Sequence, residues 1–244
     1  MIRSLIIAGV ALLALAGVAI AADLPSIKGP PAYVPPPPAP SWTGFYIGLN
    51  AGYGGGEFSL DTDPAGLLVA HAGAPSGGFI GGGQGGFNYQ FPSSNFVLGG
   101  EADFAGSTVQ GTYSPPPGLG TVSSKLDWLG TARARLGLAF GNILPYVTGG
   151  FAYGRVDTFG GAPAGFSIDQ TLTGWTAGAG LEYAITHNLS FKTEYLYVDL
   201  SNQNFQVAGS PNTHTVHPTL NVVRAGLDWK FDWIAPPTPV VAKY

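Results

Sequence analysis

The alternation of apolar and polar residues is clearest in the segment Ser124–Phe140, which reads SKLDWLGTARARLGLAF. Its apolar face carries Leu126, Trp128, Ala132, Ala134, Leu136, Leu138 and Phe140. Polar residues such as Arg133 and Arg135 occupy the other face, and a period of two predicts a β-strand. An amphipathic helix is the alternative, but Gly130 and Gly137 and the lack of helical spacing disfavour it. At about 3.3 Å per residue, such a strand is long enough to cross a membrane.

The same pattern recurs along the chain after Trp42. The eight predicted strands are Gly44–Gly54, Gly78–Phe91, Asn95–Ala105, Ser124–Phe140, Ile143–Val156, Thr171–Ile185, Asn188–Leu200 and Pro218–Phe231. Short turns between them alternate with long connections. An even number of antiparallel strands with short turns at one end and long loops at the other is typical of a transmembrane β-barrel. A soluble eight-stranded calyx, with charges outside and an apolar cup inside, is the alternative.

The two faces of these strands predict which side meets lipid. Aromatic residues are concentrated at the strand ends of the apolar face, as in the belts at the two membrane interfaces. A cationic residue facing the bilayer midplane would cost about 2–4 kcal/mol, so the charged face is expected to point inward. The predicted lumen charge network comprises Glu101, Asp103, Asp127, Arg133, Arg135, Glu182, Lys192, Glu194, Arg224, Asp228 and Lys230. Arg155 falls on the outward register, and we expect it near the outer rim.

An eight-stranded barrel encloses only enough space for its own side chains. Acidic and basic residues on the predicted inner face are nearly balanced, and an unpaired buried charge is costly. We therefore expect ion pairs, with Arg133 and Arg135 contacting Glu101 and Asp103 on the neighbouring strand. The sequence predicts a plugged interior and disfavours a wide diffusion pore.

Composition supports a membrane exterior, because only 10% of the residues are charged, against about 25% in an ordinary soluble domain. The chain has 10 basic and 14 acidic residues and no basic patch, which argues against a nucleic-acid partner. Cysteine is absent, so neither a lipoprotein anchor nor a disulfide is expected.

The N-terminal region predicts export. Residues 1–21 have the basic start, short apolar stretch and small-residue cleavage site (Ala19–Ala21) of a signal peptide, and a retained membrane anchor is the alternative. Residues 22–41 are rich in proline and predict an extended periplasmic linker, with a ligand for a proline-recognition domain as the alternative. Residues 42–231 are then predicted to form the barrel, and residues 232–244 a C-terminal extension.

Four sequence features together resemble the outer-membrane β-barrel surface antigens of alphaproteobacteria, often labelled outer membrane immunogenic proteins or porin family. These features are the mature start ADLP, the proline-rich lead-in, SWTGFYIGLNAGYGGG (Ser41–Gly56) and VVRAGLDWKF (Val222–Phe231). The resemblance implies a bacterial outer-membrane location, in contact with outer-membrane lipid. It also implies that Trp229 and Phe231, at the end of the last strand, are read by the barrel-assembly machinery. Here Asp232–Tyr244 follow that signal.

Relatives with an Ala-Asp mature start can be linked to peptidoglycan through that N-terminus. Ala22 and Asp23 match this start, and the proline-rich linker would give it reach across the periplasm. The resemblance therefore implies peptidoglycan as a further partner.

Other motifs point weakly to chemistry. Gly81–Gly86 fits G-x-G-x-x-G, but it lies within a predicted strand with no helix following, so we interpret these glycines as packing positions in the wall. His214 and His217, with His71 on another connection, are a candidate metal or haem site, and solvated loop histidines are the alternative. No catalytic constellation is present, so we predict neither an enzyme nor a bound cofactor.

Three functions are compatible with this architecture. The first is a structural barrel that supports the envelope and presents surface loops. The second is a narrow channel for small solutes, and the third is a receptor or adhesin that acts through the loops. The charge balance of the lumen favours the first function over the second.

Overall fold

The computed structural model describes residues 41–63, 70–113, 121–160, 165–206 and 213–231. The predicted signal peptide, residues 22–40 of the predicted linker and the extension 232–244 lie outside the described residues, and these boundaries stay predictions. No helix in the described part of the chain is long and apolar enough to cross a membrane.

All regular structure in the described residues is β-strand. The strands are β1 (Gly44–Asp63), β2 (Ala70–Gln90), β3 (Phe96–Ser107), β4 (Gln110–Tyr113), β5 (Val122–Leu138), β6 (Ile143–Gly160), β7 (Phe166–Ala184), β8 (Leu189–Leu200), β9 (Gln203–Gln206) and β10 (Thr213–Lys230). Eight of them are long, whereas β4 and β9 have four residues each.

The sheet closes on itself because β1 pairs antiparallel with β10 along one edge and with β2 along the other. The remaining long strands pair with their neighbours in chain order, also antiparallel. The predicted eight-stranded antiparallel barrel is therefore confirmed. Closure gives every long strand a partner on both sides within the bilayer, where an unpaired backbone amide has no water to bind.

Short turns join the strands at one end of the barrel, which we assign to the periplasmic side by the usual arrangement of such barrels. The β5–β6 turn is the tightest: Phe140 and Ile143 exchange backbone hydrogen bonds of 2.8 and 3.2 Å. Between them Gly141 has a φ of +60°, a left-handed conformation that glycine adopts without steric cost.

At the opposite, extracellular end the strands are longer than the alternation predicted. Strand β1 continues nine residues past the predicted end at Gly54 to Asp63, and β2 begins at Ala70 where Gly78 was expected. The predicted long connections are therefore wrong in extent, and β4 and β9 were not predicted. Glycine-rich stretches such as Gly54–Gly56 hide the alternation because they carry no side chains, yet their backbones pair with β2 and β10.

Aromatic residues form two belts on the outer surface. On the extracellular side the ring centroids of Tyr53 and Phe79 lie 5.7 Å apart, and those of Trp175 and Tyr197 lie 5.4 Å apart. On the periplasmic side Phe45 contacts Phe87 at 4.7 Å. From Phe45 to Tyr53 a tilted strand rises roughly 20 Å, close to the apolar band of about 25 Å in bacterial barrels. The belts therefore mark the two surfaces of the membrane.

We predict that arginine at the midplane of this surface destabilises the barrel. Leu49 lies halfway between Phe45 and Tyr53 and is 73% exposed, so Leu49→Arg places a cation in hydrocarbon and should lower the free energy of unfolding from lipid vesicles by about 2–4 kcal/mol. Thr219 faces outward above the extracellular belt opposite Glu57, so Thr219→Arg is the matched control and should change it by less than about 1 kcal/mol. Equal effects at the two positions would contradict the placement of the membrane.

Candidate functional site in the barrel lumen

The middle of the lumen contains a network of buried charged side chains. Its members are Glu101, Asp103, Arg133, Arg135, Glu182, Lys192, Glu194, Arg224 and Asp228. They come from β3, β5, β7, β8 and β10, and on each strand they occupy positions of one parity, so the period of two aims them all inward. We call this set the lumen charge network.

Arg133 lies at the centre of the network. Its guanidinium donates hydrogen bonds to Glu101 at 2.5 Å, to Asp103 at 2.8 Å and to Glu194 at 2.9 Å. The first two partners lie on β3 and the third on β8, so one side chain connects strands across the lumen. Arginine suits this position because its fork of five N–H donors can serve several carboxylates at once.

Arg224 on β10 completes a closed cluster with these carboxylates. It donates from Nε to Glu194 at 2.8 Å and from Nη2 to Asp103 at 2.9 Å. Asp103 and Glu194 are therefore each shared by Arg133 and Arg224, so opposite charges alternate around the cluster. Burial of these ions without partners would cost several kcal/mol each, which makes the shared geometry necessary for the fold.

Lys192 extends the network from the central cluster towards β10. Its ammonium group donates to Glu101 at 2.6 Å and lies 3.7 Å from Asp228. Asp228 also accepts a 2.5 Å hydrogen bond from Gln84, which in turn accepts one from Asn50 at 2.9 Å. Neutral amides thus join the ionic part of the lumen to β1 and β2.

Arg135 and two tyrosines that bind members of the network lie on its periplasmic side. The Arg135 guanidinium binds Glu182 and lies 3.7 Å from the ring centroid of Tyr146, a cation–π contact. Tyr46 donates to Glu101 at 2.7 Å, and Tyr146 donates to Glu194 at 3.2 Å. Each tyrosine hydroxyl therefore adds a second donor to a carboxylate oxygen that Lys192 or Arg133 already binds.

Asp127 does not belong to the lumen, and its prediction there is wrong. A β-bulge shifts the register of β5 against β6 between Leu126 and Trp128. The extra residue reverses the alternation, because two residues of one strand then face one residue of the other. Leu126, predicted to face lipid, is consequently buried inside, and Asp127 lies at the surface in a 2.7 Å ion pair with Lys125.

Lys230 and Arg155 lie at the two ends of the barrel. Lys230 follows the inward register but is only half-buried at the periplasmic mouth, where its ammonium group binds the backbone carbonyl of Ser41. Arg155 faces outward above the extracellular belt, where it binds Asp169 at 2.6 Å and Asp157 at 3.3 Å. Lys230 and Arg155 are therefore not members of the lumen charge network.

An apolar layer, which was not predicted from the sequence, fills the lumen on the extracellular side of the charge network. Its members include Phe58, Ile80, Leu126, Leu129, Val156, Leu172, Leu196, Leu200 and Leu220. Along β8 the inward residues change from Lys192 and Glu194 to Leu196, Val198 and Leu200, all nearly inaccessible to solvent. This change from charged to aliphatic residues at the inward positions of one strand was the sequence signal that could have predicted the apolar layer.

A second apolar group closes the periplasmic mouth around Trp42. The indole packs with Val97, Ala139, Leu144 and Ala184, and all of them are buried. Trp42 is fixed by two hydrogen bonds: Nε1 donates to the carbonyl of Gly141 at 3.3 Å, and the backbone amide donates to the side chain of Gln90 at 3.2 Å. A cavity of about 20 Å³ remains beside it, which is room for one water molecule.

The other candidate motifs do not form a site in the described residues. His217 binds Asp199 at 3.0 Å, and the side chains of His71 and His214 lie outside the described residues. The described side chains contain no group of three or more histidines, cysteines or acids that could hold a metal ion. Gly81–Gly86 lies within β2, and a Cβ on its inward-facing Gly82 would come within 2.0 Å of the backbone of Phe104.

A closed antiparallel sheet with a lipid-facing exterior and a polar, filled lumen defines an integral outer-membrane β-barrel. The family model for the outer membrane protein beta-barrel domain matches residues 8–231, and the chain belongs to this family. The protein is thus located in the bacterial outer membrane, as the sequence predicted.

Curated relatives come from alphaproteobacteria. The chain is 42% identical over 210 residues to the 31 kDa outer-membrane immunogenic protein of Brucella melitensis biotype 1, with 78% of this chain and 84% of that protein covered. It is 32% identical over 233 residues to the 25 kDa outer-membrane immunogenic protein of Brucella canis, with 94% and 99% covered. The resemblance to the alphaproteobacterial surface antigens is therefore confirmed.

Among solved structures, the outer membrane protein OprG from Pseudomonas aeruginosa is similar in fold. The TM-score is 0.52 at 15% identity, and the match covers 79% of this chain and 99% of OprG. This likeness concerns the barrel fold alone.

We predict that removing the central arginine of the network destabilises the barrel strongly. Arg133→Ala leaves Glu101, Asp103 and Glu194 short of a buried partner and should lower the free energy of unfolding by about 3–5 kcal/mol in a denaturant titration from lipid vesicles. Arg155→Ala is the matched control, because it removes an arginine that also binds two carboxylates but is 43% exposed, and it should cost less than about 1 kcal/mol. An Arg133→Ala barrel as stable as the control would contradict a structural role for the network.

Proposed function

We propose that this protein is a structural barrel of the outer membrane, which supports the cell envelope and presents its extracellular segments, and that it does not act as a solute channel. The observation that carries this proposal is the filling of the lumen by three layers in series. These are the Trp42 group at the periplasmic mouth, the lumen charge network, and the apolar layer above it.

Each layer opposes ion passage for a different physical reason. The cations and carboxylates of the charge network bind one another, so an ion in transit would have to break buried pairs to find ligands. The apolar layer excludes water, and a dry apolar constriction is a barrier to ions. Because the layers lie in series, the resistance of the lumen is set by the tightest of them, and displacement of one layer leaves the others in place.

The same pairing opposes a catalytic role for the lumen. Acids and bases that could transfer protons are held by partners of opposite charge within the network, as in a structural ion network. We therefore propose that the protein is not an enzyme.

Single-channel recording in planar bilayers tests the closed lumen. The refolded protein should give no discrete openings, and Trp42→Ala should stay equally silent because the charge network and the apolar layer persist. Folding of both proteins is checked beforehand by heat-modifiable migration in gels. Reproducible openings in the unmodified protein would reject the structural proposal in favour of a narrow channel, and openings in Trp42→Ala alone would identify the indole as a gate.

We further propose that the final strand carries the signal for insertion by the barrel-assembly machinery. Trp229 is the second-last residue of β10 and Phe231 directly follows the strand, and both side chains face outward in the periplasmic belt. The backbone amide of Phe231 donates a hydrogen bond to the carbonyl of Phe45 on β1 at 2.8 Å. Both aromatic rings are thus presented at the seam where the first and last strands meet.

Attachment to peptidoglycan through Ala22 and Asp23 is the remaining part of the proposed function. It is supported by the Ala-Asp start after the predicted cleavage site and by the proline-rich composition of residues 22–41, which favours an extended chain. Such a link would connect the barrel to the cell wall without occupying its lumen.

Mass spectrometry of digested cell walls tests this attachment. Muropeptides from cells that make the protein should carry an adduct containing Ala22 and Asp23. Cells that make the Asp23→Ala variant, whose barrel residues are unaltered, should lose the adduct while the barrel remains in the outer membrane. Absence of the adduct in the unmodified protein would reject the attachment and leave the structural role of the barrel untouched.

A further inference from the structure

Above the membrane, the described strands of the barrel wall are joined by hydrogen bonds on the side of β4, but on the side of β9 two neighbouring strands are not paired. Strand β3 is followed after two residues by β4, which pairs with β2 on one edge and with β5 on the other. Strand β8 is followed after two residues by β9, which among the described strands pairs with β10 alone. The wall therefore opens between β7 and β9, just above the belt residues Trp175 and Tyr197.

The split exposes one edge of β7. The last bond between β7 and the following chain runs from the amide of Ser201 to the carbonyl of Thr173, at 2.8 Å. From Phe166 to Leu172, β7 pairs with β6 on its other edge, and no described strand pairs with the edge that faces the split. We call this edge of β7, from Phe166 to Leu172, the open edge.

Backbone geometry identifies the groups that the open edge offers. In an antiparallel strand the N–H and C=O of one residue point to the same side, and successive residues alternate. Because the carbonyl of Thr173 points towards the split, the backbone groups of Ser167, Asp169 and Thr171 point there too. They form a row of donors and acceptors with the spacing that an added strand requires.

The open edge has little of the usual protection against strand pairing. Natural sheets guard their edges with charged side chains (lysine above all), proline, bulges or very short strands. The residues of the open edge read FSIDQTL, which contains no proline and no lysine, and their pairing with β6 runs without a register shift. Its one charged residue, Asp169, is already bound by Arg155 of β6 at 2.6 Å. An exposed edge of this kind is a template for pairing with another extended chain.

The surroundings of the open edge define the side chains that a partner strand would carry. On the lumen side, Ile168 packs against the apolar layer beside the buried Leu172. On the outer side, Thr171 and Asp169 are exposed. A strand in this position would therefore present apolar residues inward and polar or basic residues outward, in strict alternation.

We propose that the open edge of β7 is a binding site for an extended peptide segment of another protein, which adds to the sheet as a β-strand outside the membrane. The segment alternates apolar and polar or basic residues. The equivalent place on the other side of the barrel shows such an added strand, because all four residues of β4 pair with β5 and two of them, Gln110 and Gly111, also pair with β2. This interaction surface lies beyond the structural role proposed above and is independent of it.

Hydrogen exchange of the unmodified protein, refolded into lipid nanodiscs, tests the site directly. The probe is an acetylated hexapeptide with valine and lysine alternating, and the control is the same peptide N-methylated at alternate residues, which removes its donors. The unmethylated peptide should slow exchange at the amides of Ser167, Asp169 and Thr171 by about tenfold or more. The amides of Ile168 and Gln170, which point towards β6, should not change. Uniform slowing, or none, would overturn the proposal.

Peptide affinity in variants gives a second, independent measurement. Thr171→Pro removes one donor at the open edge and should weaken binding of the unmethylated peptide by about fivefold, the worth of one hydrogen bond. Thr171→Ala keeps the backbone donor and should change the affinity by less than about twofold. If the N-methylated peptide bound as tightly as the unmethylated one, the site between β7 and β9 would be assigned to apolar chains such as those of lipid. Dimers of the protein that Thr171→Pro abolishes would assign it to a second copy. Either result would overturn the proposal.

Discussion

Inside a bilayer no strand can keep an unpaired edge, because hydrocarbon contains no hydrogen-bond donors or acceptors for the backbone N–H and C=O groups. This constraint determines most of the molecule. The pairing of β1 with β10 removes the last edges and closes the sheet at eight long strands. Closure at that number leaves a lumen only as wide as its own side chains. The charged residues excluded from the lipid surface must then share that narrow space, and they do so by alternating in sign around Arg133 and Arg224.

Beyond the outer belt water can satisfy the backbone, and the structure changes accordingly. The lumen is apolar from the level of the belt outward, as in the core of a soluble sheet protein: Ile80 lies beside the belt residue Phe79, and Leu200 and Leu220 fill the lumen further out. The wall formed by the described strands also ceases to be complete, since β9 pairs there with β10 alone. A single chain therefore combines two kinds of barrel end to end. The membrane part has an apolar exterior and a polar interior, and the extracellular part has a polar exterior and an apolar interior.

The period of two was enough to predict the strands, their antiparallel closure and the inward direction of residues such as Arg133 and Glu194. It failed where a residue interrupts the period. The bulge at Leu126 and Trp128 reverses the faces of β5, and no local feature of the segment announces it, so Asp127 and Leu126 were both misplaced. The extracellular ends of the strands were also missed, because glycines without side chains give no alternation and the pairing there depends on neighbouring strands. Contacts of Arg133 with Glu101 and Asp103 on the neighbouring strand were expected, but the pairs of Arg133 with Glu194 and of Arg224 with Asp103 depend on closure and could not be predicted.

The lumen charge network has a consequence for the order of folding. The partners Arg224 and Asp103 are 121 residues apart in the chain, and Arg133 and Glu194 are 61 apart. Contacts so distant in sequence form late, because the intervening chain must first be ordered. Arg224 reaches its carboxylates only when β10 docks, so the charges of an unclosed barrel keep their water until that moment. Dehydration of the lumen and closure of the seam should therefore coincide in one cooperative final step of insertion.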